Sequence, residues 1–189
     1  FKCDWSSDVC SSDLGTVWRA AGYQPQRLST HAIETAIAGY ADLSQAIAYT
    51  YQQEGHAFYV LTFPEATWVY DVATQTWHER AYRDTSTGEL GRHRSNCFAS
   101  FNGEALVGDY QDGRIYALDL DYYTDDGDPL PAIRACAHIS NDLNKIFFHR
   151  LHVDTEMGVS GSGEDAQISM RYSNDGGHTW SSEKWASMG

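Results

Sequence analysis

The sequence predicts an all-β protein: a partial β-propeller of four-stranded antiparallel blades, about three of them present, with a short N-terminal helix. Three observations carry this. Residues 46–82 read as four short strands in a row, AIAYTY, HAFYVLTF, TWVYDV and WHERAY. Breaks fall at Gln52–Gly55, Pro64–Ala66 and Ala73–Thr76. Period-2 alternation bounded by turn residues marks an antiparallel meander, and four strands make one blade. The unit then repeats without a gap at a spacing of 48 residues. Asp71 falls on Asp119, Gly55 on Gly103, Ala57 on Ala105, Trp68 on Tyr116, Tyr70 on Leu118 and Val72 on Leu120. A period of about 40–50 residues is that of propeller blades. Finally, aromatics make up 13% of the chain and there are 16 glycines, which suits a turn-rich β protein.

Taken in order, residues 1–14 stand apart from the rest. They are Ser- and Asp-rich, hold Cys3 and Cys10, and show no strand or helix period. The run CDWSSDVCSSDL at 3–14 resembles the translation of a sequencing adapter, so these residues are expected to be non-biological and are set aside as a scar would be. A C-x₆-C pair is the other reading, but it matches no zinc or redox spacing. Residues 15–45 form a lead segment, irregular over 15–26. Ser29 or Thr30 caps a helix over 31–40, with Glu34 in its first turn and Ile33, Ile37 and Tyr40 on one face. The first blade spans about 46–82, and the polar run 83–94 joins it to a second at about 95–139. There Gln111-Asp112-Gly113 reads as a tight hairpin turn with positive φ at the Asp-Gly step, and Ile133–Ile139 as the outer strand. A third blade is expected at about 145–189, with strands at 145–155, 167–173 and 178–186 around a Gly/Ser-rich stretch. Closed propellers need at least about four blades, so the sequence reads as part of a longer protein cut at both ends. The open sheet edges of such a piece predict poor solubility in isolation.

The most specific motif is Ser173-Asn-Asp175-Gly-Gly177-His-Thr179-Trp180, which matches the S-x-D-x-G-x-T-W Asp-box. Its expected role is structural: Asp175 accepts turn N–H groups, Gly177 takes a left-handed conformation, and Trp180 packs between sheets. The first blade carries a looser relative, with Asp71 and Trp77 at its turn. Asp119, Asp121, Asp125, Asp126 and Asp128 lack the oxygen-ligand spacing of a calcium loop and read as a solvated turn. His149 and His152 point to opposite faces of an expected strand. Cys97 and Cys136 read as reduced, buried neighbours in the second blade. No nucleophile elbow, P-loop or zinc helix is present. No catalytic, cofactor-binding or metal residue is therefore assigned.

The net charge of −13 is the wrong sign for gripping nucleic-acid phosphates, which takes clustered Lys and Arg. No run of about 18 apolar residues could span a membrane, and no signal peptide is visible.

The stretches THAIETAIAGY, residues 46–82, ALVGDYQDGRIYALDLDYYTDDGDPLP, NDLNKIFFHRLHVD and RYSNDGGHTWSSEKW, in this order, resemble the packaged-DNA stabilisation, or tail hub, proteins of short-tailed bacteriophages. The resemblance covers residues 26–189. It implies a non-enzymatic virion protein of the tail, made in the host cytoplasm. It further implies a ring of copies below portal and adaptor that closes the exit channel and carries distal tail parts. DNA enters only as channel contents. Two other readings rest on less: a sialidase-like glycosidase, or a glycan- or receptor-binding propeller, both suggested by the Asp-box and fold class alone. A sialidase needs three arginines converging on a carboxylate. Arg92, Arg94, Arg114, Arg134, Arg150 and Arg171 show no such spacing.

Overall fold

The computed structural model describes residues 2–4, 9–11, 15–142, 144–154 and 166–188. The chain divides into two compact units, Phe1–Pro131 and Ala132–Gly189. The fold is predominantly β, with a single α-helix among the described residues. No helix among them is long and apolar enough to cross a membrane.

The first unit begins with a meander of β1 (Lys2–Asp4), β2 (Val9–Ser11), β3 (Val17–Ala21) and β4 (Gln24–Arg27). The sequence reading found neither strand period in 1–14 nor regular structure in 15–26. Main-chain pairing along a sheet edge requires no side-chain alternation, and β4 is exposed along its whole length, so there was no pattern to see. Helix α1 (His31–Ala38) follows, capped by Thr30, whose Oγ1 accepts from Ile33 N at 3.4 Å. It stops at Gly39, so Tyr40 lies just outside it.

Blade 1 consists of β5 (Ile47–Gln53), β6 (His56–Thr62), β7 (Thr67–Asp71) and β8 (Thr76–Arg83), extended by a short β9 (Leu90–Arg92). β9 lies within the stretch read as a plain loop. The chain reverses there because the Asp84 carboxylate accepts from Ser86 N and Thr87 N at 2.8 and 3.2 Å, an Asx turn that brings Arg83 opposite Leu90. Both faces of blade 1 are covered. On one, Tyr59, Leu61, Phe63 and Tyr70 pack with Ile33 and Ile37 of α1 and with Val17 and Leu28. On the other, Tyr49, Tyr51, Val60 and Val69 pack against Val107 and Phe98.

Those last two residues belong to blade 2, built of β10 (Ser95–Phe101), β11 (Glu104–Asp109) and β12 (Ile115–Ala117). The repeat is visible in the first hairpin of each blade. Gln53 faces His56 and Phe101 faces Glu104, 48 residues on. Both two-residue turns are left-handed, with φ of 51° and 79° at Glu54-Gly55 and 52° and 83° at Asn102-Gly103. The third strand departs from the ungapped alignment. Tyr59 faces Tyr70 in blade 1, whereas Val107 faces Tyr116 in blade 2. Tyr116 therefore matches Tyr70, Ala117 matches Asp71, and Asp119 lies beyond the strand. The cause is a connection two residues shorter, since Tyr116 follows Val107 by nine positions where Tyr70 follows Tyr59 by eleven. Blade 1 closes tightly around Pro64-Glu65 through Phe63 N→Ala66 O at 2.8 Å, while blade 2 closes wider, through Asp109 N→Arg114 O at 3.0 Å. In that wider loop Asp109 accepts from Gln111 N and Asp112 from Arg114 N. A slip of two residues keeps every side chain on its own face, so the core pattern survives it. Gly113 consequently has no positive φ.

Among the described residues blade 2 has three strands rather than four. Past Ala117 the chain turns at Asp119, which accepts from Asp121 N at 2.9 Å, into a small hairpin of β13 (Thr124–Asp125) and β14 (Asp128–Pro129). Ile133–Ile139, expected as the outer strand, is not a strand. In the second unit β15 (Gln167–Met170) pairs with β16 (Lys184–Ser187). Residues 144–154 form no strand, against expectation. In both segments the alternation defines a face but supplies no partner, and a strand needs one. Residues 155–165, read as a flexible Gly/Ser stretch, lie outside those described. Cys97 and Cys136 sit in different units and are both free and exposed, not buried neighbours.

Ile37 is 2% exposed between the sheet and Gly15. Ile37→Ala should cost about 3 kcal/mol in urea unfolding. Ile115→Ala, at a side chain 71% exposed, should stay within about 0.5 kcal/mol of the parent. Equal effects would mean that α1 does not belong to the core of blade 1.

Candidate functional site

The most elaborate chemistry of the first unit lies along the seam between the blades. Tyr49 on β5 donates its hydroxyl to Ser95 Oγ on β10 at 2.6 Å, a fully buried bond. Burial raises the Tyr49 hydroxyl pKa. Its ring lies nearly parallel to Phe98 at 6.0 Å, and Tyr51 tilts against the same ring at 5.8 Å. Gln53 reaches across to the Leu118 carbonyl at 3.1 Å. The Arg80 guanidinium lies over the Tyr51 and Phe58 rings at 5.4 and 5.3 Å.

At one end of the seam sits Arg94, 8% exposed. Its guanidinium lies 4.0 Å above the Tyr82 ring of β8. It faces Asp109 at 3.4 Å, Asp126 at 3.8 Å and Asp125 at 4.0 Å. Desolvation works against its charge, but Tyr82 and Asp109 more than offset this and push its pKa up. Burial raises the Asp125 carboxyl. Burial also opposes ionisation of Asp109, but bonds from Gln111 N and Arg94 hold its pKa low. Arg114 pairs with Asp112 at 3.2 Å and with Asp126. Between this cluster and the β13–β14 hairpin lies a cavity of about 150 Å³, lined by His93, Arg94, Tyr116, Leu118, Tyr122 and Asp125 among others. Arg94, its lining arginine, already has carboxylate and aromatic partners. Its chemistry is that of a structural joint.

No local motif in the sequence marks this joint. The available signal was Arg94 itself: the 48-residue repeat places it on Ala46, an apolar position in blade 1.

The singled-out turn residues lie elsewhere. Asp71, at the end of β7, accepts from Ala73 N at 2.9 Å, Thr74 Oγ1 at 2.8 Å and His56 Nδ1 at 2.8 Å. Desolvation favours its neutral form, but the Thr74 and His56 bonds dominate and hold its pKa at about 2. Trp77 leans on Tyr70 at 5.2 Å and donates its indole N–H to the Leu28 carbonyl at 2.9 Å. It thus fastens blade 1 to the lead segment. Asp112 and Gly113 occupy the β11–β12 loop described above.

In the second unit, Asp175 accepts from Thr179 N at 2.9 Å and Thr179 Oγ1 at 2.6 Å, and these bonds hold its pKa at about 2. Ser173 Oγ donates to Asp175 at 2.7 Å and accepts from Gly177 N at 2.8 Å. Gly177 is left-handed, with φ of 96°. Trp180, expected between sheets, is 55% exposed. Its indole N–H folds back to the Gly177 carbonyl at 3.1 Å, within its own loop. All five residues meet in one turn, and the carboxylate is saturated by groups of that turn.

Because the Asp71 carboxyl is depressed to about 2 from an ordinary 3.8, its contribution to stability is complete above the ordinary value and is lost as pH falls towards 2. Urea midpoints at pH 2.5 to 7 should therefore drop more steeply on the acid side for the parent than for Asp71→Asn. Parallel curves would refute the role given to Asp71.

A family model described as bacteriophage P22 Gp10, β-propeller, matches residues 10–123, and a second, described as bacteriophage P22 Gp10, β-sandwich, matches residues 133–189. The boundary between the units, after Pro131, falls in the short gap between the two matches. The β-sandwich description covers the stretch in which the sequence analysis placed a third blade. No curated protein matches the chain. With the propeller model alone spanning more than half its length, the chain belongs to the bacteriophage P22 Gp10 family of phage virion structural proteins that stabilise DNA.

Proposed function

We propose that this protein is a tail hub component: a non-enzymatic module that helps seal packaged DNA in the phage head and joins portal and adaptor to the distal tail. Copies of it assemble as a ring, and DNA is present only as channel contents. Its place is the virion tail, after synthesis in the host cytoplasm. The observation that carries this reading is the pair of family matches, one on each unit.

The way charge is used supports it. Asp42, Asp71, Asp84, Asp109, Asp112 and Asp119 each accept a backbone N–H two residues ahead. Arg94 and Arg114 are matched by carboxylates, and Arg92 lies 4.1 Å over the Tyr110 ring. Such a surface grips a phosphate backbone poorly, as suits a wall past which DNA must slide. The Asp-box carboxylate is bound within its own turn, which gives the glycosidase reading no added support.

The test is genetic. A phage with a stop codon early in the complete gene should fill its heads and then lose the DNA, giving empty, tailless particles by electron microscopy. Antibody against the protein should label the head-to-tail junction of intact virions. Stable, DNA-filled mutant heads would reject the proposal, and sialoside hydrolysis by the complete protein would replace it with the glycosidase reading.

A further inference from the structure

His93 is the residue through which the two blades are joined at the start of the seam. It lies on the connector between β9 and β10. Its backbone N–H donates to Thr67 Oγ1 of blade 1 at 3.1 Å, and Thr67 in turn donates to Thr62 at 3.1 Å. Its ring turns to blade 2. Nδ1 accepts from Ser95 N at 3.2 Å and lies 2.8 Å from Ser95 Oγ. Ser95 Oγ is the acceptor of the Tyr49 hydroxyl. These bonds form one directed chain, Tyr49 to Ser95 to His93 Nδ1, and it requires a lone pair on Nδ1. The ring is therefore neutral, with its proton on Nε2.

We propose that His93 is an acid-sensitive latch: protonation at Nδ1 breaks the Tyr49–Ser95–His93 chain and opens the seam between blade 1 and blade 2.

The surrounding charges set the threshold. Arg80 of β8, Arg92 of β9 and Arg94 beside it all oppose a further cation. Asp109 of β11 favours one. Asp119, Asp125 and Asp126, with Tyr116 of β12, line the cavity that His93 shares. Desolvation, followed by the arginines, depresses the His93 ring to about 4. A proton on Nδ1 meets the Ser95 N–H head-on and turns an acceptor into a donor. Asp125, whose carboxyl is raised by burial, is neutralised before Asp109, whose carboxyl is held low. Protonation of Asp125 thus removes part of the counter-charge of Arg94. A group whose folded-state pKa lies below its unfolded value of about 6.5 contributes stability above that value. The contribution is lost as pH falls from about 6.5 to about 4.

The test uses the full chain. Hydrogen-exchange mass spectrometry, corrected for intrinsic rates, follows residues 47–53 and 95–101 at the seam and 31–38 on the opposite face from pH 7 to pH 4. Seam protection should fall first, reversibly. In His93→Gln, which keeps an acceptor but cannot take up the proton, that fall should move down by about one pH unit. The ring proton signals of His93 in the parent, followed by NMR, should titrate well below an ordinary histidine. Loss of seam protection at the same pH in both proteins would overturn the proposal. So would a His93 ring titrating at the ordinary value.

Discussion

Everything in the first unit depends on one strand having two buried sides. β6 sits second in its sheet, hydrogen-bonded to β5 and β7, and Tyr59, Val60, Leu61 and Thr62 are each at most 1% exposed. Alternate residues of a strand face opposite ways, so such a strand must be covered on both faces. The lead segment covers one, with α1, Val17 and Leu28; blade 2 covers the other, with Val107 and Phe98. Removing either cover would leave a sheet of aromatic and aliphatic side chains in water. This is why the helix is part of the architecture rather than an appendage, and why Trp68 and Trp77 spend their indole N–H groups on Tyr40 and Leu28, outside the blade.

The acidic composition has a conformational use as well as an electrostatic one. A β meander reverses direction every few residues, and each reversal leaves N–H groups without a sheet partner. A short carboxylate two residues upstream satisfies such a group and fixes the turn. It does so at Asp42, Asp71, Asp84, Asp109, Asp112 and Asp119. At two of them the same bonds favour the ionised form: Asp71 and Asp84 are held below the ordinary value by hydroxyl and N–H donors. Charge that looks like a surface property in the composition is thus partly the chemistry of the turns.

The features legible in the sequence were those with a period. The helix face of Ile33 and Ile37, the strands of blade 1 and the 48-residue recurrence of its first hairpin all follow from alternation and turn chemistry. The features that escaped depend on pairing. The two-residue slip of β12 follows from a connection two residues shorter than that of blade 1 and leaves the face pattern unchanged, so an ungapped alignment reads through it. Ile133–Ile139 alternates like a strand, yet alternation is silent about whether an edge is available to receive it. The exposed hairpin strand β4 and the main-chain pairing of β1 and β2 carry no apolar signal. The Arg94 joint carries only the signal of an arginine on an apolar repeat position: its partners Tyr82, Asp109, Asp125 and Asp126 are drawn from three separate stretches, and no local motif unites them.

That joint also bears on how a repeat protein avoids mispairing. Blades related by a repeat can in principle exchange neighbours, since their hairpins share register and turn type. Blade 1 offers Ala46 where blade 2 offers Arg94, and the seam is built around the difference. A buried arginine with carboxylates on one side and a tyrosine ring on the other costs desolvation that its partners must offset. What it does add is direction. Only the blade carrying Arg94 can meet Tyr82 of β8 while Asp109 lies within its own sheet. A blade presenting alanine there would leave Tyr82 without its cation, and an arginine placed in the wrong seam would be buried unpaired. Polar groups at single core positions fix register in this way in other assemblies. Here the seam between blade 1 and blade 2 is built on a position where the repeat fails, with Arg94 in place of Ala46.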